Sequence, residues 1–141
     1  MPGTDQNPAA LAVELSSALK ELHRALIRAE IGDDPALANP YTMLFALIGD
    51  PRFAWMGPLS QLIARIDQKV ADKEVADAAA LASLRAEAAG LVGEGSDKQE
   101  LGEGVASFRM RHVMALQREP EAGLATGRLR KVLARLPVTP G

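Results

Sequence analysis

The sequence predicts an all-α protein, a single helical bundle of about four long and two short helices with a kink at Pro58. Three observations carry this. Of the 141 residues, 48% are hydrophobic but only 4% aromatic, and the apolar fraction is dominated by Ala and Leu, the strongest helix formers. The runs of Val, Ile, Thr and aromatic residues that strands need are absent. Leucines recur at spacings of three and four, in segments opened by Asn-Pro, Asp-Pro or Glu-Pro pairs, which place a capping side chain before a proline suited to the first helical turn.

The first helix is expected over 8–31. Asn7 caps it, Leu11, Leu15, Leu19, Leu22 and Leu26 form its apolar stripe, and Gly32 ends it. Asp33, Asp34 and Pro35 then make a turn. A short, nearly all-apolar helix follows Asn39-Pro40 over 41–48, and its composition predicts burial on several sides. Asp50-Pro51 opens a third segment. Pro58 interrupts it, and Leu59, Leu62, Ile63, Ile66 and Val70 carry the next helix to about residue 73. An Ala-rich helix is expected over 75–92, with Leu81, Leu84, Ala88 and Leu91 inward. The glycine-rich acidic stretch 93–104 reads as a mobile loop. Two further helices, 105–118 and from Pro120 to about 136, are divided at Glu119-Pro120. Leu124, Leu129, Val132, Leu133 and Leu136 are expected inside. Residues 1–7 and 137–141 are expected to fray. Short turns favour antiparallel neighbours, and no internal repeat or linker divides the chain.

Composition narrows the function classes. The chain has no cysteine, which excludes disulfides, thiolate metal sites and cysteine nucleophiles together. No secretory leader is visible at the start, and no apolar run approaches the ~20 residues that span a bilayer. The sequence therefore reads as cytoplasmic, with no membrane partner. The net charge of −2 hides an asymmetry: residues 1–104 carry 9 basic and 16 acidic side chains, residues 105–141 carry 7 and 2. The two ends can attract each other within a bundle, which needs no second molecule, or the basic end can face an acidic partner.

The segment Asp50-Pro51-Arg52-Phe53-Ala54-Trp55-Met56-Gly57-Pro58-Leu59-Ser60-Gln61-Leu62-Ile63, running on to Arg65-Ile66-Asp67, is the most distinctive in the chain. It resembles a pattern in a family of small uncharacterised bacterial helical proteins, in which an FAW triplet leads into PLS, an apolar pair and an ID pair. Leu22-His23-Arg24-Ala25-Leu26 and Leu116-Gln117-Arg118-Glu119-Pro120 are similar too. The resemblance implies a bacterial, intracellular helical protein, and it brings no activity and no catalytic residue. Physically, Phe53 and Trp55 bury large area while the indole N–H seeks an acceptor. Pro58 sets the angle between two helices, and Ser60 can satisfy a freed amide.

A ligand pocket floored by Trp55 and Phe53, with Tyr41, His23, Glu30 and His112 around it, is the sharpest site the sequence offers. His23 and Glu30 fall on the inward flank of the first helix, and His112 lies with Phe108 on the inner side of the fifth. Two histidines and a carboxylate facing one core can bind a metal or exchange protons. The spacing is not a ligand signature, since Lys20 and Arg109 stand where the di-iron pattern puts glutamates. Core packing and hydrogen bonding are the plainer reading of all six. The sequence thus calls for no metal and no cofactor.

Arg109, Arg111, Arg128, Arg130, Lys131 and Arg135 make the basic end. Arg128, Lys131 and Arg135 share a helix face, as a phosphate-binding helix requires. The acidic chain and the lack of helix-turn-helix spacing favour internal salt bridging over nucleic acid. Gly123 and Gly127, four apart, suggest close helix approach within the bundle. No nucleophile elbow or phosphate loop is present, and Lys98 lacks the Gly-Lys-Ser/Thr ending. The function expected from sequence is a non-enzymatic interaction module, with a second copy or another protein as partner. The alternative is a small-ligand or metal-binding bundle using His23, Glu30 and His112, and the third is nucleic-acid binding by the last two helices.

Overall fold

A computed structural model of the chain describes residues 7–32, 39–49, 51–93 and 103–137. The described residues form helices and turns with no strand. The elements are α1 (Pro8–Ile31), α2 (Pro40–Gly49), α3 (Pro51–Ala54), α4 (Gly57–Ala71), α5 (Ala78–Leu91), α6 (Glu103–Arg118) and α7 (Pro120–Arg135). Most of the stretch expected to be a mobile loop, the turn at residues 33–35, and most of the expected frayed ends lie outside the described residues.

The helix ends follow local chemistry. The Asn7 side chain accepts from the amide of Ala10 at 2.7 Å, Asn39 accepts from that of Tyr41 at 2.8 Å, and Asp77 from that of Ala80 at 2.8 Å. Each satisfies a first-turn donor with no helical partner. Asp77 therefore starts α5 three residues later than the apolar pattern suggests, and leaves Val75 buried in the connection before it. α1 closes on Gly32, whose φ of 53° suits glycine. α4 closes through Lys73 at φ 60°, a left-handed conformation on an L-residue. The break expected at Pro58 falls just before it. The chain turns through Trp55 and Met56, and Pro58 sits in the first turn of α4, where its missing amide is harmless.

α1 is the element around which α3, α4, α5, α6 and α7 assemble. Leu15, Leu19, Leu22 and Leu26 are fully enclosed. Each such side chain contributes roughly 1.5–3 kcal/mol relative to exposure. Side-chain pairs fix the relative directions. Glu14 meets Arg135 at 2.9 Å and Glu21 meets Arg128 at 3.2 Å, so moving forward along α1 moves backward along α7. Ser16 donates to Asp67 at 2.6 Å and His23 meets Ser60 at 3.2 Å, which makes α4 antiparallel to α1 as well. α6 and α7 fold back on each other about Glu119, and His112 faces Thr126 across the hairpin at 2.9 Å.

The core otherwise matches the apolar spacing, with two departures. Leu124, expected inside, is 56% exposed. The buried stripe of α7 runs through Ala122, Ala125, Thr126, Leu129 and Leu133, and Leu124 stands off that stripe. Gly123 and Gly127 are not sites of close approach either, since a Cβ at each would meet nothing within 4 Å.

Candidate functional site

Of the six residues singled out from the sequence, the structure links Glu30, Trp55 and His112 through one set of contacts. Trp55 is held where α3 gives way to α4. Its indole N–H donates to Glu30 at 3.0 Å, the acceptor its burial requires. The Glu30 side chain is only 9% exposed and also faces the guanidinium of Arg118 at 3.7 Å. One hydrogen-bond donor and one nearby cation thus offset the cost of burying this carboxylate. Trp55 lies 5.4 Å from Phe108, tilted by 47°, and Phe108 lies 6.0 Å from the ring of His112. Glu30, Trp55, Phe108, His112 and Thr126 form one continuous chain of contacts through the core. Phe53 is buried among the core residues.

Tyr41 does not join them. It stands on α2 and is 76% exposed. Among the described side chains of this short helix, Leu44 and Phe45 are exposed as well, while Met43 packs against the edge of the core, and α2 meets α3. His23 is half-buried and faces Ser60 on α4, away from the Thr126 partner of His112. The Ser60 hydroxyl also donates to the carbonyl of Met56 at 3.3 Å, so it serves a carbonyl rather than the freed amide expected. Among the described residues, no group of three or more His, Cys, Asp or Glu side chains comes together to hold a metal ion. Glu30 and His112 are thus linked only through the rings of Trp55 and Phe108, and His23 pairs with Ser60 instead.

The state of His112 follows from its partners. The hydroxyl of Thr126 donates to the carbonyl of Ala122 at 2.8 Å, so it accepts from Nε2 of His112, which carries the proton of a neutral ring. Burial first, and the charge of Arg130 second, lower the pKa of His112 below the ordinary imidazole value. Burial alone lowers that of His23. The unfolded chain takes up protons on both rings near pH ~6.5, while the folded chain resists. The stability from the neutral rings is therefore complete above that pH and falls as pH drops toward the lower folded values. Thermal unfolding followed from pH 7.5 to 5 should show a falling midpoint. The fall should be shallower in His112→Gln, which keeps a donor for Thr126 and has no proton to gain.

The basic end is largely engaged within the molecule. Arg128 and Arg135 hold Glu21 and Glu14 on α1, the second pair through two parallel bonds of 2.9 and 3.1 Å. Arg109 donates to the carbonyl of Gly90 at 2.7 Å. Two of the three charges on the expected phosphate-binding face are thus paired internally, as the charge asymmetry between the ends of the chain suggests.

Sequence reasoning missed the surface that most needs explaining. On α2, Tyr41, Leu44 and Phe45 are exposed, Phe45 by 71%. On α6, Met110, Val113 and Met114 are exposed, Met110 by 65%. The signal was present: residues 110, 113, 114 and 117 share one face of α6, while Phe108, His112 and Ala115 share the opposite, buried face. α6 is therefore apolar on two sides. Only the ends of these helices are tied to the α3–α4 junction. α2 adjoins α3, and the start of α6 lies against Pro58, with a Cβ at Gly104 reaching 3.6 Å from it. No family model, curated protein or solved structure matches this chain. None of the helices described is long and apolar enough to cross a membrane.

Proposed function

We propose that this chain is a non-catalytic helical interaction module that pairs with a second copy of itself through the outer faces of α2 and α6. The observation that carries this reading is α2: ten residues without a single charge, presenting Tyr41, Leu44 and Phe45 to solvent. A contiguous apolar surface of this kind marks a binding face in a water-exposed protein.

Three features favour a second copy as the occupant. The exposed strips of α2 and α6 bear no charge at Tyr41, Leu44, Phe45, Met110, Val113 or Met114, so they select an equally apolar counterpart, and each copy brings both strips. The outer strip of α6 has the three-and-four spacing with which helices pack against one another. On α2 the two aromatic rings, Tyr41 at 76% and Phe45 at 71% exposure, are the kind of side chain that anchors interfaces between proteins. The formal charge of −2 opposes self-association only weakly.

Light scattering on the purified chain tests the reading. A dimer has twice the 15.0 kDa mass of the chain with no additive. A monomer mass up to millimolar concentration removes the second copy as occupant.

A further inference from the structure

A second site follows from the way α1 and α7 are paired, and it does not depend on the dimer. Glu14 with Arg135 and Glu21 with Arg128 are two rungs of an antiparallel ladder, seven residues apart on each helix. Seven residues are two helical turns, so the next rung brings Arg28 of α1 opposite Glu121 of α7. Here the order of charges is reversed and the rung is left open. Among the described residues, neither Arg28 nor Glu121 makes a side-chain ion pair, and neither does Arg24, one turn back on α1.

A cleft of about 210 Å³ lies between the helices at this point. Glu21, Arg24, Arg28, Glu121 and Arg128 line it, and the buried Ala25 and Ala125 form a floor too short to fill it. Three arginines therefore line a cleft shared with two glutamates, and one of those, Glu21, is already held by Arg128. Arg24 and Arg28 are like charges one turn apart, an arrangement that disfavours the helix unless an anion joins them. Guanidiniums bind tetrahedral oxyanions through paired, charge-assisted hydrogen bonds. The volume lies below the ~300–1,000 Å³ of drug-sized ligand pockets, which restricts the occupant to a compact one.

We propose that this cleft binds a small multivalent oxyanion of the phosphate or pyrophosphate class, held by Arg24 and Arg28 with Arg128 at its edge. Glu121 is the opposing charge that an entering anion must face. Titration calorimetry of the full chain with inorganic pyrophosphate, at ionic strength matched with sodium chloride, tests this. Saturable binding of one pyrophosphate per chain is expected. It should weaken by at least about tenfold in Arg24→Gln/Arg28→Gln and tighten in Glu121→Gln, where the like charge is gone. All three side chains are exposed, so the variants should keep the helical circular dichroism of the parent. Absence of saturable binding, or binding undiminished in Arg24→Gln/Arg28→Gln, overturns the assignment. So does capture of duplex DNA by a chain to which pyrophosphate does not bind.

Discussion

Replacing Phe108 by alanine is expected to destabilise the fold by about 3–5 kcal/mol, the range for removing a buried aromatic ring. Phe108 is fully enclosed, and its ring touches both Trp55 and His112. Its loss leaves a cavity between α6 and the α3–α4 junction and removes the ring contact that positions Trp55 over Glu30. Equilibrium unfolding in urea should show a lower midpoint with an unchanged slope, which marks lost stability rather than a change in the unfolded chain. Phe108→Leu keeps much of the volume and should lose less. A loss below about 1 kcal/mol for the alanine variant would place Phe108 outside the cooperative core, since surface changes stay within roughly that range.

The second large effect concerns association. Leu44→Asp/Phe45→Asp is expected to weaken dimer formation by a factor of at least about 100. Buried aromatic anchors at interfaces contribute 2 kcal/mol or more, and two carboxylates would have to be desolvated without partners. Because both side chains face solvent within one chain, the monomer should keep its helical content and nearly all of its stability. Met110→Asp should act in the same direction through α6. Sedimentation equilibrium across a range of concentrations measures the change. Equal association by parent and variant contradicts a role for α2.

The core was legible because it rests on spacing alone. The leucines of α1 at 15, 19, 22 and 26 and those of α5 at 81, 84 and 91 point inward as their periods require. Capping side chains such as Asn7 were legible too, since a cap acts over three residues. The fate of α2 was not. Composition says that a helix is apolar, but not whether another element reaches it, and among the described residues α2 meets α3 and, through Met43, the edge of the core. Leu124 was misplaced because a leucine count ignores the angle between Leu124 and the stripe through Leu129. That Tyr41 and His23 stand apart from the other candidate residues has a similar reason. Inward-facing residues on different helices share a core without meeting, and His23 and His112 each found a hydroxyl on a different neighbour. The salt bridges from α1 to α7 were foreshadowed by the charge asymmetry, but the open rung at Arg28 and Glu121 required the register that only the folded pair supplies.

Whether α2 is covered can be read at its own backbone by hydrogen exchange as a function of protein concentration. An interface between two copies makes the amides of Leu44 and Phe45 exchange slowly in concentrated solution and much faster on dilution, while those of Leu19 and Leu22 stay protected throughout. Fast exchange of the α2 amides at every concentration would mean that no second copy covers this helix.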